Sequence, residues 1–305
     1  MVSKIKSRLK AVDPKATEPS KPKIVIYGKP GVGKTWGALD FHACYYIDTE
    51  GGADLPHYTD KLKNSGGVYL GIEQGSLDFE TVLDQIKALA TEDHPYKTLV
   101  IDSISKLFNN EITKESERLA KSNTKNEFGL DRKPAVSAIK SMVSWLQRID
   151  MNVVMIAHEK ALWGMVNGNR SEIGVTFDCY DKLEYELHLC LNIIKNGDKR
   201  IAKVKKTRLL GFPDADTFSW SYMDFATRYG KDVIEKETKK LILASPEQIL
   251  ELNNLLGVFS LPIATQEKWL TAANAATFEE MDESKIAQII KHIKDKIPKI
   301  TTEGE

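Results

Sequence analysis

Cysteine is scarce in this 305-residue chain: Cys44, Cys179 and Cys190 are odd in number, and no two stand at Cys-x-x-Cys spacing. That leaves no basis for a disulfide framework or a structural zinc site and fits a reducing cytoplasm. Net charge is missing as well, since 43 Lys and Arg balance 43 Asp and Glu. No chain-wide field then draws in nucleic acid, and any polyanion site must be a local patch. Long apolar runs are lacking too, and the start from Met1 to Lys23 is rich in Lys, Pro and Ser without an apolar core. The expectation is a cytoplasmic chain that neither spans a membrane nor is exported. No repeat of fixed period is apparent. What is present is ordinary globular material, 42% hydrophobic, long enough for one α/β domain and a smaller module.

Residues 1–22 carry Lys4, Lys6, Arg8 and Lys10 on little apolar material. They read as a flexible basic arm that could touch DNA or a neighbouring subunit, or simply be solvated. The core is expected over 23–230. There, β-rich runs at Ile24 to Tyr27, Tyr45 to Asp48, Thr98 to Asp102 and Val153 to Ala157 alternate with helical segments. That alternation predicts an α/β fold with a mainly parallel sheet. Tyr185 to Lys195 and Arg200 to Leu209 flank Asn196-Gly197-Asp198, a tight-turn sequence, so a terminal antiparallel hairpin is expected to close the sheet. Residues 231–244 open on a heavily charged run and read as a linker, and 299–305 as a tail. Between them, 245–298 predicts a bundle of about three helices. Ser245-Pro246-Glu247-Gln248 is a capping box with Pro at the first helical position, Thr277-Phe278-Glu279-Glu280 repeats the logic, and Ile286, Ile289, Ile290 and Ile293 keep helical spacing.

The chemistry begins at Gly28-Lys29-Pro30-Gly31-Val32-Gly33-Lys34-Thr35, which matches G-x-x-x-x-G-K-[ST] directly after an apolar strand and before a helical segment, and these eight residues with the adjoining Trp36 are the expected nucleotide-binding residues. In such a loop the glycines turn successive N–H groups toward phosphates, Lys34 neutralises the β and γ oxygens of ATP, and Thr35 holds Mg²⁺. A second metal group should end a neighbouring buried strand, and Thr98-Leu99-Val100-Ile101-Asp102 supplies Asp102. A charge there is costly unless it faces the metal.

Other positions narrow the class. Tyr46-Ile47-Asp48-Thr49-Glu50-Gly51 closes the second strand and could set a general base beside the γ-phosphate. Here the chain resembles the RecA/RadA recombinase ATPases, whose second strand ends in a similar run. The resemblance implies that Glu50 is the catalytic glutamate. Lys206-x-Arg208 places two cations on one strand face and is similar to the pair that, in RecA-like rings and filaments, reaches the γ-phosphate of the adjoining subunit. A solvated basic strand edge is the competing reading. His158, after Val153 to Ala157, stands where the family keeps a polar sensor. The family residue is typically glutamine, so the histidine leans toward phage nucleotide-binding proteins and the KaiC-like branch, and a purely structural histidine stays open.

The likeness covers about Lys23 to Phe225 and is most similar to phage ATP-binding, single-strand annealing recombinases of the RecA/RadA/KaiC superfamily. It implies a homo-oligomer with ATP at subunit boundaries, in the cytoplasm of a bacterial host. In that fold the loops after the third and fourth strands hold single-stranded DNA. Ser122 to Pro134 carries Lys125, Arg132 and Lys133 near Phe128, and Glu159 to Asp178 carries Lys160, Trp163 and Arg170 among three glycines. Cations beside an aromatic ring suit base stacking along a strand, although both could be ordinary surface loops. The helical module resembles those that contact a single-strand-binding protein or another replication partner. The leading reading is a DNA-dependent ATPase of recombination. A DnaB-like ring helicase or loader and a nucleotide-gated switch with little hydrolysis remain alternatives, and a small-molecule kinase would leave Glu50 and Lys206-x-Arg208 without a purpose.

Overall fold

A computed structural model describes residues 19–127, 129–259 and 261–295. Most of the basic arm, Phe128 and the 299–305 tail lie outside them.

The core is a sheet built on β1 (Lys23–Gly28), β2 (Cys44–Asp48), β3 (Val68–Leu70), β4 (Thr98–Asp102), β5 (Asn152–Val166), β7 (Leu189–Asn196), β8 (Lys199–Thr207) and β9 (Thr217–Ser219), in the order β3-β2-β4-β5-β1-β7-β8-β9. The first six in that order run parallel, β8 runs antiparallel to β7, and β9 antiparallel to β8. The fold is therefore the α/β class expected, with its hairpin of β7 and β8 turning at Gly197, φ 59°. The hairpin does not close the sheet: the short β9 pairs outside it. Three residues are too few to show a period, which is why β9 and β3 escape a sequence reading.

Both faces of the parallel strands are covered, so their residues alternate between two cores rather than between core and water. Val25 and Tyr27 of β1 join Leu99 and Ile101 of β4 against α3 (Phe79–Thr91), α4 (Ile104–Lys121) and α5 (Arg132–Arg148). Ile24, Ile26 and Val100 face the other side, toward α1 (Lys34–Ala38), α2 (Pro56–Asn64) and α7 (Tyr222–Tyr229). All three cysteines are free and buried in these layers.

Two expectations about loops are corrected. Glu159 to Asp178 is not a loop: β5 runs on past the sheet and pairs antiparallel with β6 (Asn169–Phe177), forming a ribbon that turns at Asn167 and Gly168. Arg132 and Lys133 are not in a loop either, for they open α5, where Arg132 lies 5.6 Å over the Phe108 ring.

The stretch 231–244 begins as α8 (Lys231–Glu235) and then lies against the core, because Ile234, Leu241 and Leu243 punctuate its charges with apolar anchors. Beyond it, α9 (Pro246–Phe259), α10 (Ile263–Ala273) and α11 (Glu283–Asp295) enclose their own cluster of Leu252, Met281, Ile286, Ile290 and Ile293. Ser245 and Gln248 exchange the two capping bonds, 3.3 and 3.0 Å. Thr277 starts no helix. Its segment is a bend in which the Ala276 N–H donates to Glu280 Oε2 at 3.1 Å, and α11 begins later, at Glu283. The module meets α5 through Ser144, which donates to the Asn274 carbonyl at 2.6 Å, and Arg148, which donates to the Glu280 carbonyl at 2.6 Å.

Candidate active site

Parallel strands deliver their C-terminal ends to one edge of the sheet, and side chains from β1, β2, β4 and β5 converge there. Register aligns Gly28 with His158 and Asp48 with Asp102. A cleft of about 740 Å³ opens between them.

The phosphate loop is its floor. Gly28 has φ +156°, and a Cβ on it would stand 2.2 Å from the Ile193 carbonyl oxygen of β7, so only glycine lets the strands approach this closely. Val32 is buried and anchors the loop from below, while Lys29, Pro30 and Gly31 are exposed. Lys34 Nζ donates to the carbonyls of Gly28 and Lys29 at 2.8 and 3.0 Å. Burial pulls its ammonium below the ordinary value against the attraction of Asp102, Glu159 and Glu50. Trp36 does not line the cleft. Its ring lies beside α2, capped by Lys61 Nζ at 3.9 Å from the centroid and 6.0 Å from Tyr58.

Thr35 Oγ1 donates to Asp102 Oδ2 at 2.5 Å. Burial raises the Asp102 carboxyl to about 6, with the Thr35 hydrogen bond opposing. Tyr46 OH, 3.4 Å away, is its second contact, and burial with the Asp102 charge keeps that hydroxyl protonated. Two hard oxygen donors side by side are the kind of protein groups that Mg²⁺ takes, since it is bound through few of them and completed by water and phosphate oxygens. Among the described residues no cluster of three His, Cys, Asp or Glu side chains could hold a metal alone.

Glu50 and His158 face this pair. Glu50 Oε1 accepts from Ser103 Oγ at 2.7 Å and from His158 Nε2 at 3.0 Å, and the Ser103 hydroxyl lies 3.2 Å from the same ring nitrogen. The His158 hydrogen bond leads in holding the Glu50 carboxyl down at about 2, and the same bond raises His158 above its ordinary value. Asp48 stays behind the site as a brace: its carboxylate accepts from the N–H groups of Glu50, Gly51 and Ala53 and so shapes the turn that presents Glu50.

Sequence reasoning missed Ser103, Tyr46 and Glu159. The signal for Ser103 was its place between Asp102 and an apolar helix, where a serine caps; its Oγ accepts from the Lys106 N–H at 3.2 Å. Glu159, a cleft residue, accepts from Asn192 at 3.2 Å and had no motif.

The other candidates lie away from the cleft. Lys206 and Arg208 sit toward the opposite edge of the sheet, donating to the Leu187 and Tyr185 carbonyls around α6 (Leu183–Glu186). The Arg208 N–H donates to His188, whose own N–H donates to Lys23 at the start of β1. Within one chain these cations cannot join the phosphate loop. Lys125 and Lys133 are exposed on the α4–α5 side. On the ribbon, Lys160 pairs with Asp181 at 3.2 Å, and Trp163, 52% exposed, has the Arg170 guanidinium 5.5 Å over its ring.

With this geometry in hand, the chain can be set against known proteins. A family model described as an AAA domain matches residues 20–211, more than half of the chain and all of the cleft. No curated protein matches. Among solved structures, a crystal structure of the RadB recombinase superposes with a TM-score of 0.42 at 18% identity, covering 64% of this chain and 84% of that one. Among the described residues, no helix is long and apolar enough to cross a membrane.

Proposed function

We propose that this chain, which belongs to the AAA domain family, binds Mg·ATP at Gly28 to Thr35 and hydrolyses it in a reaction that depends on single-stranded DNA. The observation that carries the reading is the pairing of two constellations across one cleft. Thr35 and Asp102 form an oxygen pair beside Lys34, and Glu50 is held ionised opposite them by His158 and Ser103. Bound Mg²⁺ would offset phosphate charge at the Thr35–Asp102 pair. Lys34 would exchange its loop carbonyls for phosphate oxygens. Glu50, kept as a carboxylate, takes a proton from the attacking water, and His158 fixes its orientation and reports the occupancy of the site through their shared bond.

DNA enters through the ribbon. Strand β5 runs from Ala157 and His158 at the cleft straight into a solvent-exposed ribbon carrying Trp163 and Arg170, a ring and a cation suited to stacking bases without sequence preference. Assembly with ATP at subunit boundaries, with Lys206 and Arg208 acting in trans, would make the nucleotide an assembly switch for annealing or strand exchange. The test is steady-state ATP hydrolysis with and without single-stranded DNA for wild type, Lys34→Ala and Glu50→Gln. DNA stimulation lost in both variants supports the reading. A rate indifferent to DNA removes the recombination part, and a wild type that binds ATP but turns it over no faster than Glu50→Gln replaces hydrolysis with a binding switch.

A further inference from the structure

The cleft has a direction. Glu50, Asp102 and His158 come from β2, β4 and β5, all on one side of β1, whereas β7 and β8 flank it on the other. A nucleotide is elongated, and one with its terminal phosphate toward Glu50 has room to extend its base and ribose across the phosphate loop toward the β7–β8 hairpin, on the side of β1 away from Glu50, Asp102 and His158.

The side chain waiting there is Arg200. Ala202 and Val204 of β8 point into the core on the α1 side, and strand side chains alternate with period two, so Arg200 projects to that side as well. It reaches the loop: a Cβ on Gly33 would stand 2.1 Å from Arg200 Nε and 2.5 Å from Cδ. Trp220 secures the arrangement from beneath, its backbone N–H donating to the Arg200 carbonyl at 2.8 Å and its indole Nε1 to the Gly33 carbonyl at 3.3 Å. The hairpin and the phosphate loop are thus tied through one residue. Arg200 is an exposed residue, and among the described residues its guanidinium has no hydrogen-bond or ion-pair partner. Neighbouring arginines differ: Arg228 is paired with Asp216 at 2.7 Å, and Arg208 is engaged by a backbone carbonyl.

We propose that Arg200 binds the nucleoside end of the nucleotide in cis, laying its guanidinium plane on the base. The inference rests on the reading of the cleft as an ATP site and adds to it a residue that no loop motif contains. A planar guanidinium stacks on an aromatic face in a way that a lysine ammonium does not reproduce. The Trp220 brace keeps the strand that carries it at a fixed distance from Gly33, so the stack is pre-positioned.

Isothermal titration calorimetry of the full chain with Mg·ATP and, separately, with Mg·tripolyphosphate tests this, because the second ligand has three phosphates and no nucleoside. Arg200→Ala and Arg200→Lys are each expected to bind ATP about tenfold more weakly, with tripolyphosphate affinity within about twofold of wild type. Unchanged ATP affinity overturns the proposal, and so does a parallel loss for both ligands, which would make Arg200 a prop for the phosphate loop. Lys34→Ala distinguishes loss of the nucleoside contact from loss of the phosphate site. It should lose both ligands, and a wild type that binds neither overturns the ATP reading itself.

Discussion

Glu50 and His158, 108 residues apart in sequence, share a hydrogen bond of 3.0 Å across the ends of β2 and β5, with β4 between them in the sheet. The imidazole therefore keeps its proton to higher pH in the folded chain than its ordinary value of 6.5 allows, and Glu50 is held at about 2 against an ordinary 4.5. On the basic side, the contribution of the pair to stability is complete below pH 6.5 and fades as pH climbs through the raised His158 value. On the acid side it is present above 4.5 and is lost as pH falls toward 2. NMR titration should find the His158 ring above 6.5 in wild type and lower in Glu50→Gln. An identical titration in both would break the link.

Asp102 runs the other way. Its carboxyl is raised by burial from 3.8 to about 6, so the favourable neutral form is retained below 3.8 and the contribution is lost as pH rises through about 6. Asp102→Asn keeps an acceptor for Thr35 and removes the buried charge. The variant should gain up to ~3 kcal/mol over metal-free wild type at pH 8 and little at pH 4. It should also lose Mg-dependent ATP binding. Thermal melts at both pH values check the first point, and a variant no more stable at pH 8 than at pH 4, relative to wild type, contradicts it.

Gly28→Ala sets a methyl group against a backbone carbonyl rather than against a movable side chain. Strain at this φ alone is worth about 1–3 kcal/mol, and displacement of β7 adds to it. A fall in Tm of several degrees is expected, measured by calorimetry; a wild-type Tm would mean that β1 and β7 part easily.

Trp163→Ala should weaken single-stranded DNA binding by about 1–3 kcal/mol, the worth of one stacked base, and leave ATP affinity unaltered. Fluorescence anisotropy with a labelled oligonucleotide measures it. Equal affinity in the variant would remove the ribbon from the DNA path.

If Arg208 acts across a subunit boundary, Arg208→Ala should lower the hydrolysis rate by about 10³-fold, and mixing it with Lys34→Ala should restore part of it, since one mixed interface keeps both intact groups. Absence of any regain after mixing counts against action in trans.

How much of this was legible in the sequence depends on how local the signal was. The phosphate loop is written in eight consecutive residues, β1 is a short apolar run ending at its first glycine, and β2 and β4 are short apolar runs ending in aspartate, so the α/β class could be read directly. The ribbon could not. Past Ala157 its residues are partly exposed on both faces, and its partner β6 lies across a turn that resembles any glycine-rich loop. Arg200 was invisible for a similar reason: its meaning comes from Gly33, which the topology sets beside it from far along the chain. Thr277 is the reverse case, a local capping pattern that serves a bend, because the same side-chain bonds close turns as well as helices.

The buried cysteines carry a practical corollary. Thiol reagents attack the thiolate, and burial pushes Cys179 and Cys190 to about 12 and Cys44 higher still. The three buried thiols are thus expected to react slowly with maleimides near neutral pH, and a single cysteine introduced at the ribbon tip or on the β7–β8 hairpin should take a dye in preference to them. A label at the ribbon tip would report on the proposed DNA path and one on the hairpin on the proposed nucleotide, without first stripping the chain of its own sulfur.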